Sequence, residues 1–147
     1  MSHTIDLNQQ LSTHFSLREF VVSGTALRHH IENLPAPQQV ERLRDLCQQV
    51  LEPLRLCFGV IRITSGYRCE LLNELVGGVP ASQHLTGEAA DLHISNMEVG
   101  QKMFCFIRDH TSFDQLLFER VRKSGVCWLH VSHRRGHNRH DARQLRV

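Results

Sequence analysis

Polar residues fill most of positions 1–12, and the first amphipathic signal comes directly after them. Phe15, Ser16, Glu19 and Phe20 combine a capping box with a hydrophobic staple, which predicts a short helix starting at Ser16. Residues 1–12 read as a mobile lead-in to one domain over 13–147. Gly24 to Pro37 lacks periodicity and reads as loop. From Gln38 onward, Val40, Leu43, Leu46, Cys47, Val50, Leu51 and Leu54 recur at helical spacing opposite Glu41, Arg42, Arg44, Asp45 and Gln48. This is the main core helix, with Pro53 loosening its last turn before Gly59.

Val60 to Ser65 alternates as a half-buried strand, with a turn at Gly66. Cys69 to Val76 reads as a short helix stopped by Gly77-Gly78, residues 79–88 as loop, and Ala89 to Ile94 as a strand. Ser95 and Glu98 form a second capping box, opening a helix to His110 with Val99, Met103, Phe106 and Ile107 inward. Asp114–Arg120 and Cys127–His133 pair as a hairpin with Ser124-Gly125 at its centre, and Arg143–Val147 is expected to be an edge strand.

A chain of 147 residues with 41% hydrophobic and 22% charged residues fits one compact fold and excludes a disordered or fibrous protein. No window approaches the roughly 18 apolar residues of a membrane span, and the first ten residues lack a secretory core, so a cytoplasmic protein is expected. Five cysteines without a C-x-x-C pair suggest reduced, mostly buried residues. The net charge of +2 divides unevenly: the last fifteen residues hold five Arg and one Asp, so the body is mildly acidic. That balance argues against a dedicated nucleic-acid binder, and the tail with His133, His137 and His140 reads as a solvated basic segment. A monomer is expected.

Eleven histidines direct the search for chemistry. The densest run is Ser82-Gln83-His84-Leu85-Thr86-Gly87-Glu88-Ala89-Ala90-Asp91. His84 and Asp91 are ligand types that zinc accepts, and His130, in the last apolar strand, is the third candidate. Alternation puts Glu119, Trp128, His130 and Ser132 on one face of the hairpin. With the turn centred between Ser124 and Gly125, Glu119 stands opposite His130, their β-carbons about 5 Å apart. A carboxylate beside a metal ligand suits a general base, with Glu88 and Asp114 next in line.

Ser82-x-His84-x-x-Gly87-x-Ala89-x-Asp91, the earlier Ser65-Gly66-Tyr67-Arg68 and the later Trp128-x-His130-x-Ser132 resemble the zinc D-Ala-D-Ala carboxypeptidase and phage endolysin peptidase family, with its hedgehog-type fold. The resemblance implies an α+β domain whose small antiparallel sheet carries one Zn2+, held by His84, Asp91 and His130 and packed against several helices. Many members place the catalytic Glu in an E-x-x-W-H pattern, where this chain has Cys127 three residues before His130. Gln115-Leu116-Leu117-Phe118-Glu119 instead resembles a subfamily in which the preceding strand supplies the base, which makes Glu119 the catalytic candidate. Arg68 resembles the family's anchor for a substrate carboxylate, and Ser82 is expected to bind substrate or orient His84. His93 shares a strand face with Asp91 and is a candidate for supporting contacts. The implied substrate is peptidoglycan or a muropeptide, cleaved next to a D-amino acid. The contrasting expectation is a non-catalytic, zinc-stabilised cell-wall or protein-binding domain.

Overall fold

A computed structural model describes residues 4–146; residues 1–3 of the expected lead-in and Val147 of the expected edge strand lie outside the described residues. Helices α1 (Arg18–Val21), α2 (Gly24–Arg28), α3 (Pro37–Leu46) and α4 (Glu52–Phe58) precede strand β1 (Ile63–Ser65). Helix α5 (Glu70–Leu75), β2 (Ala89–His93), α6 (Met97–His110), β3 (Gln115–Arg120), β4 (Cys127–Ser132) and β5 (Asp141–Arg146) follow. The five strands form one sheet in the order β1-β2-β4-β3-β5. The fold is α+β, but its sheet is mixed, not antiparallel as expected: β5 runs parallel to β3.

Local chemistry accounts for most elements and for their departures from expectation. The Ser16 N–H donates to the Glu19 carboxylate at 2.7 Å and the Phe15 and Phe20 rings lie 6.1 Å apart, so the staple and the glutamate half of the box form at α1, while the Glu19 N–H donates to the Ser16 carbonyl instead of its hydroxyl. The expected loop after Gly24 contains α2, because the Ser23 hydroxyl accepts the Ala26 N–H and caps a short turn of helix. The main helix is interrupted by a π-helical turn, Cys47–Leu51, which ends two residues before Pro53. Proline lacks an N–H and crowds the preceding turn, and the wider turn relieves both constraints. Asn96, not Ser95, caps α6, its side chain accepting from the Val99 N–H at 2.9 Å. The buried face of α6 carries Met103, Phe104 and Ile107, with Phe106 only partly buried.

The polar lead-in contributes to the core: Leu11 is fully buried, and Ile5 and Leu7 pack against the same cluster. Of the cysteines only Cys47 is buried, while Cys57 is exposed and the rest are intermediate. Leu92, Leu129, Val131, Leu116 and Phe118 turn one sheet face to the helices. The opposite face is left for the site.

Candidate active site

β2 and β4 set the centre of the site. Asp91 pairs directly with His130, so both side chains stand on the free face of the sheet. His84 reaches them from the loop before β2, where three contacts fix it. Its Nδ1 donates to the Gly66 carbonyl at 2.7 Å, its backbone N–H donates to the Ser82 hydroxyl at 3.2 Å, and its carbonyl accepts the Arg68 N–H at 3.1 Å. Gly66 is required by close approach, because a β-carbon there would lie 2.6 Å from the Phe20 carbonyl oxygen. Gly87 combines φ of +80° with the same kind of contact, 2.6 Å from the Gln39 carbonyl oxygen on α3. Gln39 and Arg42 of α3 donate to the carbonyls of Leu85 and Thr86 and hold the loop to the helix.

Both imidazoles converge on one carboxylate oxygen. His84 Nε2 lies 3.3 Å and His130 Nδ1 2.9 Å from Asp91 Oδ1, and one ligand atom from each residue falls within 4.8 Å of the others. Ligands 2.0–2.1 Å from a tetrahedral ion are about 3.3 Å apart, so the spacing fits one metal. A carbonyl only accepts, so the proton of a neutral His84 sits on Nδ1 and the Nε2 lone pair faces Asp91 Oδ1. Two opposed lone pairs in a buried site repel unless a cation lies between them. His84 Nε2 and Arg68 Nε are the two buried side-chain nitrogens without a hydrogen-bond partner among the described residues. Burial acts to raise the Asp91 pKa, yet the hydrogen bond from His130 holds this carboxyl well below the usual carboxylate range. The donor set therefore fits a divalent ion such as zinc.

The triad opens into a cleft of about 810 Å³, inside the range of roughly 300–1,000 Å³ typical of ligand pockets. Arg68, Ser82 and Glu119 all line it. Arg68 Nη1 donates to Asn73 Oδ1 at 3.1 Å; burial lowers its pKa, with the charge of Asp91 acting the other way. Sequence reasoning missed Asn33, which is buried and holds the Arg68 loop. Its amide donates to the carbonyls of Val21 and Tyr67, and its oxygen accepts the Cys69 N–H.

Three expectations about the site change. Glu119 pairs with Trp128 and not with His130, which stands opposite Leu117. The loop closes at Val121 and Val126, with Gly125 as its last residue at φ of +71°, so its centre lies one residue earlier than expected. The pairing therefore shifts by two residues, which leaves Glu119 on the same face as His130 at a diagonal position. Asp114 is fully buried and ion-paired with Arg139, which removes it as a base candidate. His93 is exposed and does not line the cleft.

The basic tail also differs from a solvated segment. His133 is buried and its Nδ1 donates to the Ser112 carbonyl at 2.6 Å, while the His140 ring lies 4.9 Å from that of Phe113.

A family model described as peptidase M15 matches residues 13–132, most of the chain and all of the triad. The chain belongs to the peptidase M15 family. No curated protein matches it. Members of this family are zinc-dependent peptidases acting on peptidoglycan-type substrates, which makes the chain a metallopeptidase at that level. No helix among the described residues is long and apolar enough to cross a membrane.

Proposed function

We propose that this M15 peptidase hydrolyses a peptide bond next to a D-amino acid in peptidoglycan stem peptides, recognising a free terminal carboxylate. The observation that carries the reading is the convergence of His84 Nε2 and His130 Nδ1 on Asp91 Oδ1 at the floor of the cleft. His84, Asp91 and His130 would hold the zinc, which supplies Lewis acidity for amide hydrolysis. Glu119, diagonal to His130 on the same face, accepts a proton from the attacking water and returns it to the leaving amine. Ser82 keeps the loop turned so that His84 Nε2 faces Asp91.

Arg68 receives the terminal carboxylate. Its Nε is buried without a partner, and its backbone is bonded to that of His84, so an anion at Arg68 sits at a fixed distance from the metal ligands. One domain, one zinc and a muropeptide substrate complete the reading.

The test is product analysis by mass spectrometry on a D-Ala-D-Ala-terminated muropeptide. Release of one D-Ala, lost with a chelator and restored by zinc, is the expected result. Glu119→Gln should retain zinc while turnover falls about 10²–10⁴-fold. Near-normal turnover would move the base to Glu88, which lines the same cleft. Arg68→Ala should lower kcat/KM for the free acid roughly ten- to hundredfold and leave a C-terminally amidated analogue little changed. Equal losses on both substrates would favour cleavage of internal bonds. Retained zinc without any cleavage would favour a binding domain.

A further inference from the structure

The family match ends at residue 132, yet the chain beyond it stays at the cleft. Residues 133–140 cross the end of the sheet where β3 begins, and β5 then runs along the far side of β3. The crossing lays Arg139 over Asp114, whose carboxylate is fully buried. Asp114 Oδ1 accepts the Arg139 backbone N–H at 2.9 Å and Nε at 3.1 Å. Oδ2 accepts Arg139 Nη2 and Gln83 Nε2, each at 2.9 Å.

A guanidinium carries five N–H groups in one plane, and this contact uses two of them along the Nε–Nη2 edge. The other three have no protein acceptor among the described residues. Asp114 lies behind the group, the Arg139 side chain is 47% exposed, and Arg139 lines the cleft that holds the His84–Asp91–His130 triad. The free edge is turned away from Asp114, on a residue that lines the cleft. Arg134, from the same crossing segment, lines the cleft too, and its side chain makes no ion pair or hydrogen bond among the described residues. Its backbone N–H donates to Asn138 Oδ1 at 2.8 Å, which closes the loop under it.

The geometry points to a second carboxylate-binding position in the cleft, formed by Arg139 and Arg134, which selects substrates carrying an acidic side chain besides the terminal carboxylate taken by Arg68. The proposal rests on the peptidase reading for its choice of ligand. Asp114 fixes the Arg139 rotamer in the free protein, so little further side-chain entropy is lost when an anion docks. The Asp114 charge offsets that of Arg139, which makes Arg139 a source of directed hydrogen bonds, while unpaired Arg134 supplies the net positive charge.

The experiment compares a D-Ala-D-Ala-terminated pentapeptide carrying Glu with the same peptide carrying Gln. Binding to the metal-free protein is measured by calorimetry, and kcat/KM on the zinc-loaded protein. The Glu peptide should bind roughly ten- to hundredfold tighter, the span of a hydrogen bond between charged groups. Arg139→Lys keeps a cation on Asp114 but removes the free edge, and should bring the ratio toward one; Arg134→Ala, at an exposed position, should lower it independently of any folding defect at Asp114. Arg135→Ala breaks another ion pair of the tail, with Asp45 of α3, and should leave the ratio unchanged. A wild-type ratio near one, an unchanged ratio in both Arg139→Lys and Arg134→Ala, or equal weakening of both peptides by Arg139→Lys would overturn the proposal. A ratio that follows the two arginines without cleavage of either peptide would sink the peptidase reading and leave the anion site standing.

Discussion

Gln83 and His84 are neighbours in the chain, and each meets a different carboxylate: Gln83 meets Asp114, and His84 meets Asp91. Burial acts to raise the pKa of both acids, and in both the bonding groups outweigh it. The partners differ in kind. Asp114 accepts four N–H donors, three of them from the always-charged Arg139, so its lone pairs are filled and its carboxyl is held down at about 2. Asp91 faces two imidazoles through one oxygen, and one of the facing nitrogens carries no hydrogen bond. A carboxylate filled by permanent donors holds the fold. One that faces an unprotonated nitrogen is incomplete until a cation joins it.

The largest effect should separate the two in function. Asp91→Ala removes one of three metal-ligand candidates, so zinc content and turnover should both fall by more than the roughly 10–100-fold that loss of an outer partner costs. Elemental analysis and peptide hydrolysis measure this, and full zinc retention in Asp91→Ala would erase the distinction. Next comes an asymmetry within the Asp114 pair. Arg139→Ala leaves a fully buried carboxylate with Gln83 as its remaining side-chain donor and should cost about 3 kcal/mol of stability. Asp114→Asn leaves a half-exposed guanidinium that water can solvate, at a cost of about 1–2 kcal/mol. Denaturant unfolding of the two variants gives the order directly, and the reverse order would mean that Asp114 is not the desolvated partner.

The smallest effect is in pH. The folded Asp114 carboxyl is lowered to about 2, so its contribution is complete above its ordinary value near 4 and disappears as the pH falls toward 2. The stability difference between wild type and Asp114→Asn should be flat from pH 7 to 5 and shrink between pH 4 and 2. Metal retention at Asp91 should follow a different course, weakening whenever protons compete for the imidazole nitrogens. Coincident loss of zinc and of the Asp114 increment on acidification would show one coupled unit in place of two.

Part of the site is legible in the chain because it is local. Ser82, His84 and Asp91 belong to one loop and the strand it enters, and the apolar alternation of Leu116 and Phe118 on one strand and Leu129 and Val131 on the other puts Glu119 and His130 together on the face away from the core. The loop ending at Gly125 changes the pairing but not the face, since a shift of two residues changes every partner and no side-chain direction. Asn33 was not legible, since nothing near it in the chain signals that its amide holds a loop 34 residues away. Nor was the π-helical turn, where the sequence marked only the proline that makes it favourable.

By itself the sequence determined the order of most helices and strands, the residue types of the candidate metal ligands and the face they occupy, since these follow from periodicity and from residues a few positions apart. Only the tertiary structure decided the register of Glu119, the parallel placement of β5 and the closure of Arg139 on Asp114, 25 residues away. Such pairings depend on how far the chain must return and on which buried group needs a partner when it does. A polar tail read alone has no buried carboxylate to meet; folded over the start of β3, it finds Asp114.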